Sequence, residues 1–190
     1  MLASAPFFVS KTLDIWEDHG LNVDLDFRYA GANTLQDLHH DRCEFAVPSD
    51  VALASFLQET VKGTYRVRVM PVVRIEDHLK FVVRRDSAAT RVEDLGQGKR
   101  IAYLPGSVHR DFLTASGITE ACLEEMTSVM ECYHALVDPA EAKHVDACVL
   151  WEPHYRAFQG KYGMRLLNDE TNYSWFLCLV AKETFLVERD

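Results

Sequence analysis

Helical and extended hydrophobic patterns take turns along almost the whole chain, and this alternation constrains its fold more than any other feature. From Pro6 to His19 the apolar residues Phe8, Val9, Leu13, Ile15 and Trp16 recur at helical spacing, with Pro6 suited to a first turn and Gly20 to a C-terminal cap. Directly afterwards Leu21, Val23, Leu25 and Phe27 alternate with Asn22, Asp24, Asp26 and Arg28, a period of two that predicts a half-buried strand. Asn33 then opens a short helix to His40 with Gln36 in the capping-box position, and Cys43 to Val47 predicts a second strand. Ser49 caps a helix from Asp50 to Gln58. Two β-rich runs follow, Arg66 to Arg74 and Leu79 to Arg85, and Pro71 predicts an edge position or a bulge in the first.

The polar stretch from Asp86 to Lys99, with turn signals at Gly96 and Gly98 around a single helical turn at Val92 to Leu95, marks a crossing to a second lobe. Beyond it, Arg100 to Leu104, Asp146 to Leu150, Met164 to Leu167 and Trp175 to Ala181 predict strands. Val108 to Ser116, ended by Gly117, and Pro153 to Gln159 predict helices. Between Thr119 and His144 the signals conflict: Leu123, Met126 and Met130 suit a helix, while Pro139 marks a fresh helix start. Alternation of this kind calls for an α/β fold of two lobes, each a mainly parallel sheet flanked by helices. Residues 1–85 with 175–190 form the first lobe in this reading, and residues 86–174 the second.

Composition narrows the function. A net charge of −9 repels a polyanion, so nucleic acid is a poor partner. No apolar run reaches the roughly 18–20 residues of a membrane span, and the start from Met1 to Pro6 has no basic segment leading into an apolar one, so no export signal is visible. The five cysteines are odd in number and irregular in spacing, which argues against a disulfide framework, and Cys148 and Cys178 lie in apolar runs where a thiol serves as a small hydrophobe. The eight histidines form no metal-binding spacing, and neither a Walker loop nor a dinucleotide-binding glycine string occurs, so no metal or other cofactor is implied.

In open α/β sheets ligands bind beyond the carboxyl ends of the strands. The residues there are Gly31, Ser49 and Asp50, Arg74, Gly106 and Ser107 with His109, and Trp151 with Glu152. Ser49 and the Gly106-Ser107 turn each open a helix, whose unpaired N–H groups suit an anionic oxygen; helix capping is the other use of each serine. His109 and Arg74 offer positive charge to a carboxylate, sulfonate or phosphate, or serve as surface residues in weak ion pairs. Trp151 offers a flat apolar wall or a core side chain, and Glu152 an acceptor for an amine or a solvated charge.

Ala5-Pro6-Phe7-Phe8 with Asp18-His19-Gly20-Leu21-Asn22-Val23, then Val92-Glu93-Asp94-Leu95 with Gly98-Lys99-Arg100-Ile101-Ala102, then Pro105-Gly106-Ser107, and finally Val149-Leu150-Trp151-Glu152-Pro153 stand in a fixed order. In that order the chain resembles the solute-binding proteins of ABC importers in the nitrate, sulfonate, taurine and thiamine-precursor group. The resemblance implies a type II periplasmic-binding-protein fold closing on a small, anionic organic solute (sulfonate-, nitrate- or pyrimidine-precursor-like), with an ABC permease as partner. It carries ligand contacts to Ala5 and Pro6, Ser49, the Gly106-Ser107 turn, and Trp151 with Glu152. Two departures accompany it. The family's strand before the helix at Pro6 and its helical return after the strand at Trp175 to Ala181 are both missing from this reading, which suggests a shortened first lobe. The resemblance implies a periplasmic or lipid-anchored location where a leader precedes the chain, and a cytoplasmic one where Met1 is the native start. Two alternatives remain open: an enzyme on the same scaffold, like the thiamine-pyrimidine synthases or a desulfinase, with His109 as its candidate base, or a ligand-sensing domain of a larger regulatory protein.

Overall fold

The computed structural model describes residues 5–28, 30–60, 66–96, 98–105, 108–138, 140, 144–167 and 173–187. The chain divides into two compact units, one of residues 1–75 with 176–190 and the other of residues 76–175. Among the described residues no helix is long and apolar enough to cross a membrane.

The expected helix over Pro6 to His19 is two: α1 (Ala5–Thr12) and α2 (Ile15–Asp18), parted at Asp14, whose φ of 53° leaves the helical region. Aspartate tolerates that left-handed conformation better than most residues, and its carboxylate also suits the start of the next helical turn. Gly20, at φ 72°, ends α2 as expected. Residues 21–28 are not the expected strand. Alternation makes a strand only where a neighbouring edge offers its N–H and C=O groups, and this segment has no ladder partner among the described residues. It is held by side chains instead: Lys11 Nζ donates to the Val23 carbonyl at 2.8 Å, Phe27 stacks on Phe8 at 4.4 Å, and Arg28 Nε donates to Asp37 Oδ2 at 2.6 Å.

The rest of this first unit has a core. Helix α3 (Gly31–His39) begins two residues before the predicted Asn33 cap, and α4 (Asp50–Thr60) follows the short strand β1 (Phe45–Ala46). The long strands β2 (Val67–Glu76) and β8 (Ser174–Lys182) complete a sheet in the order β1-β8-β2. Leu35, Leu38, Ala46, Leu53, Phe56, Cys178 and Val180 form its buried cluster, drawn from one face of each helix and the inward positions of the strands. Strand β2 lies at the sheet edge, where Pro71 costs least, and its apolar side chains Val69, Met70 and Val72 are exposed. A helical turn does follow β8, correcting the expectation of none: α8 (Glu183–Val187), tied back by Glu183 to Arg68 at 2.6 Å.

The second unit carries a five-stranded sheet in the order β5-β4-β6-β3-β7, with β3 at Leu79–Val83, β4 at Ile101–Tyr103, β5 at Leu123–Glu125, β6 at Ala147–Trp151 and β7 at Arg165–Leu166. The β5-β4-β6 part is parallel; β3 runs antiparallel to both β6 and β7. Pairing of β3 with β6 from Leu79↔Trp151 to Val83↔Ala147 sets β3 in this unit, so the chain crosses after Ile75 and not in the polar stretch after residue 85. That stretch is a surface connection with a 3₁₀ turn at Val92–Leu95. In the ambiguous region, Leu123 begins β5 and the helix α6 (Val129–Val137) starts after Ser128, whose Oγ accepts from Glu131 N at 3.1 Å. Pro139 lies outside the described residues.

Strands β3 and β6 are buried on both faces, β6 as an unbroken apolar run and β3 as an apolar run broken only by Lys80, which is half-buried. Val82, Cys148 and Leu150 point to a cluster shared with α6 and with α7 (His154–Tyr162), including Cys132, Leu136, Tyr155 and Phe158. On the alternate positions Phe81 meets Phe112 of α5 (His109–Ala115) at 5.2 Å. Cys132, Cys148 and Cys178 are buried free thiols; burial pushes the Cys132 thiol up to about 12 and raises the other two.

Candidate functional site

In the first unit two helices open side by side. A Cβ added to Gly31 would stand 3.1 Å from Pro48 Cα and 3.4 Å from Ser49 N, so the start of α3 touches the start of α4 and a side chain there fits only if Pro48 yields by a few tenths of an ångström. The residue before α3 is Ala30, which has no oxygen to cap the first N–H groups. At α4 the serine does cap: Ser49 Oγ accepts from Ala52 N at 3.0 Å, and Asp50 Oδ1 accepts from Val51 N at 2.9 Å. Ser49 is also fixed by an antiparallel bridge to Leu177 of β8. Gly31, Ser49 and Asp50 are therefore gathered at one place.

The other sequence-predicted residues of this unit are not gathered there by any contact described. Ala5 and Pro6 open α1, which buries none of its residues. Arg74 is not beyond a strand end, because β2 continues to Glu76; its side chain is exposed.

In the second unit, parallel β4 and β6 end at the same edge of the sheet. The antiparallel β3 begins at that edge, since Leu79 pairs with Trp151. The result is an aromatic row. The His109 ring lies 5.1 Å from Trp151, Trp151 lies 4.8 Å from His154, and His78, immediately before β3, lies 5.8 Å from Trp175, all edge to face. Glu152 is already engaged: Tyr155 Oη donates to its Oε2 at 3.3 Å and Arg156 Nε donates to its Oε1. Gly106 and Ser107, the predicted turn after β4, lie outside the described residues.

His109 departs from its expected roles. It is 3% exposed, and burial, with His78 nearby, pushes its imidazole down to about 3. At neutral pH it is uncharged, so it supplies no positive charge to an anion and is not a base poised near neutrality. Burial lowers His78 and His154 as well. The row is therefore aromatic, hydrogen-bonding and uncharged in its imidazoles. Among the described residues no group of three His, Cys, Asp or Glu side chains is placed to hold a metal ion.

Sequence reasoning singled out His109 and Trp151 but not His78, His154 or Trp175, whose rings lie in the same row. His78 precedes a strand, and strand starts lie opposite the binding edge in a parallel sheet. It reaches this edge because β3 runs the other way. A strand's direction is not written in its own residues.

No curated protein matches the sequence. Among solved structures, the periplasmic aliphatic sulphonate binding protein SsuA from Escherichia coli is similar with a TM-score of 0.73 at 18% identity, covering 98% of this chain and 64% of that one. The alkanesulfonate-binding protein SsuA from Xanthomonas axonopodis pv. citri, bound to MOPS, is similar with a TM-score of 0.69 at 20% identity, again covering 98% of this chain and 64% of the other. A substrate binding protein of an amino acid ABC transporter gives 0.62 at 18% identity over 95% of this chain and 76% of that one. This chain thus spans less than two thirds of the length of either SsuA protein. At such identities the likeness is one of fold, and the fold is the type II periplasmic-binding-protein fold expected from the sequence strings. A family model, described as NMT1/THI5 like, matches residues 2–170, and the chain belongs to that family.

Proposed function

We propose that the chain binds a small organic anion of the sulfonate type and presents it to an ABC permease. The observation that carries this is the abutment of the α3 and α4 starts at Gly31 and Ser49. The start of α3, which no side chain caps, and the capped start of α4 bring two positive dipole ends to one point, an environment that suits an oxyanion when no buried cation is at hand. The α3 end, uncapped by any side chain of Ala30, is the better donor of the two. Asp50 turns its carboxylate to its own helix start and directs the anion toward Gly31. The sulfonate-binding proteins of the same fold support the choice of head group. The remaining predicted contacts, Ala5, Pro6, Arg74, Gly106 and Ser107, belong to the proposal as candidates for mutation.

The test is a thermal-shift series with MOPS, short alkanesulfonates, nitrate and amino acids. Sulfonates at a hundredfold excess over Kd should stabilise the protein by about 2.7 kcal/mol, and nitrate or amino acids by far less. Gly31→Val, which pushes a side chain into Pro48 and Ser49, should abolish the sulfonate shift while the variant remains folded by circular dichroism. A shift with amino acids alone, or an undiminished sulfonate shift in Gly31→Val, would refute the assignment.

A further inference from the structure

We propose that residues 21–28 of the first unit pair with the same residues of a second copy of this chain, as the two central antiparallel strands of a two-fold dimer.

The segment and its surroundings are open. Leu21 and Phe27 are exposed, as are Phe8, Val9, Leu13 and Ile15 on the helices before it, and α1 buries none of its residues. Residues 5–28 fall within the roughly 20–30 residues a side that a specific interface takes. None of the backbone N–H groups from Asn22 to Arg28 has a hydrogen-bond partner among the described residues. Lys11 Nζ already donates to the Val23 carbonyl at 2.8 Å, and Arg28 Nη1 to the Phe27 carbonyl at 3.4 Å. An extended residue points its N–H and C=O to the same side, so the groups left for a ladder belong to the even residues Asp24, Asp26 and Arg28. The other open edge, β2, exposes Val69, Met70 and Val72, but Pro71 in its middle has no N–H to give.

The charges select both the occupant and the register. A two-fold axis sets odd residues opposite odd and even opposite even. Centred on Leu25, the pair would set Asp24 against Asp26; centred on Asp26, it would set that aspartate against itself, and like charges directly opposite destabilise. Centred on Phe27, each Asp26 faces an Arg28 of the other copy and no like charges meet. Arg28 can serve such a pair: it gives Nε to Asp37 and Nη1 to its own Asp26, while its Nη2 makes no hydrogen bond among the described residues. In this register Phe27 meets Phe27 at a non-hydrogen-bonded position, where side chains come closest. Each ring already stacks on Phe8 at 4.4 Å, so the axis gathers four rings.

Sedimentation equilibrium of the full chain from low to high micromolar concentration should show a monomer–dimer equilibrium. Asp26→Arg, which sets arginine opposite Arg28, should weaken the dimer about tenfold or more. Asp24→Arg, which stands opposite Ala30 in this register, and Val72→Arg on β2 should each leave it within about threefold. In the wild-type protein, amide exchange at Asp26 and Arg28 should slow by about fivefold on going from low to high concentration, and exchange at Leu25 and Phe27 should not, a readout that needs no variant. A monomer at every concentration, a dimer that Asp26→Arg leaves intact, one that Asp24→Arg or Val72→Arg weakens as much as Asp26→Arg does, or exchange that slows without this alternation would overturn the proposal.

Discussion

Burial of His109 makes acid a destabiliser of the second unit, by an amount that follows from its ionisation. Its imidazole is pushed from an ordinary 6.5 down to about 3 in the folded chain. Above pH 6.5 both folded and unfolded chains hold it neutral, and it contributes no pH dependence. Between about 6.5 and 3 the unfolded chain takes up a proton that the folded chain refuses, so stability falls as pH falls. From pH 7.5 to 5.0 the loss from this one group is about 2 kcal/mol, being some 1.4 kcal/mol for each of the roughly 1.5 pH steps below 6.5. His78 and His154 are shifted in the same direction and add to the loss. The perturbation is His109→Gln, which cannot titrate. Urea unfolding followed by tryptophan fluorescence at the two pH values gives the loss for each protein, and every other titrating group cancels in the comparison. Wild type should lose about 2 kcal/mol more than the variant. Equal losses, within about 0.5 kcal/mol, would mean that the imidazole is reached by water and ionises normally, and the uncharged character of the aromatic row would go with it.

Asp37, 7% exposed, accepts from Arg28 at 2.6 Å and pairs with Arg42 at 3.1 Å, so Asp37→Asn should cost about 2 kcal/mol in urea unfolding and speed amide exchange in α3. Phe81, fully buried against Phe112, should cost about 3–5 kcal/mol as Phe81→Ala, whereas Val72→Ala on the exposed edge strand β2 should change stability by no more than about 0.5 kcal/mol; similar values for the two would contradict the described burial.

Elements whose signal is local were legible in the sequence. Ser49 heads α4 because its own oxygen reaches Ala52 N, and Gly20 ends α2 because it alone nearby adopts a positive φ without strain. The strand at β6 follows from its unbroken apolar run. Where the reading failed, the deciding partner lay elsewhere in the chain. Residues 21–28 have a strand's alternation but no strand beside them among the described residues, and Asp14 divides a helix whose apolar spacing runs straight through it. The crossing was misplaced for the same reason: a polar stretch after residue 85 looks like a linker, yet β3 before it is already paired with β6.

The candidate sites divide in the same way. Gly31 and Ser49 could be placed at helix starts, and His109 and Trp151 beyond strand ends, because those positions follow from the order of elements. Tertiary pairing decided the rest. The antiparallel course of β3 delivers His78 to the edge where β4 and β6 end, and burial there strips His109 of the charge its residue type would lead one to expect. Periodicity along the chain fixes which residues face inward, since it depends on backbone geometry alone. Strand direction and the ionisation of a buried ring depend on neighbours distant in sequence, and those exist only once the chain has folded.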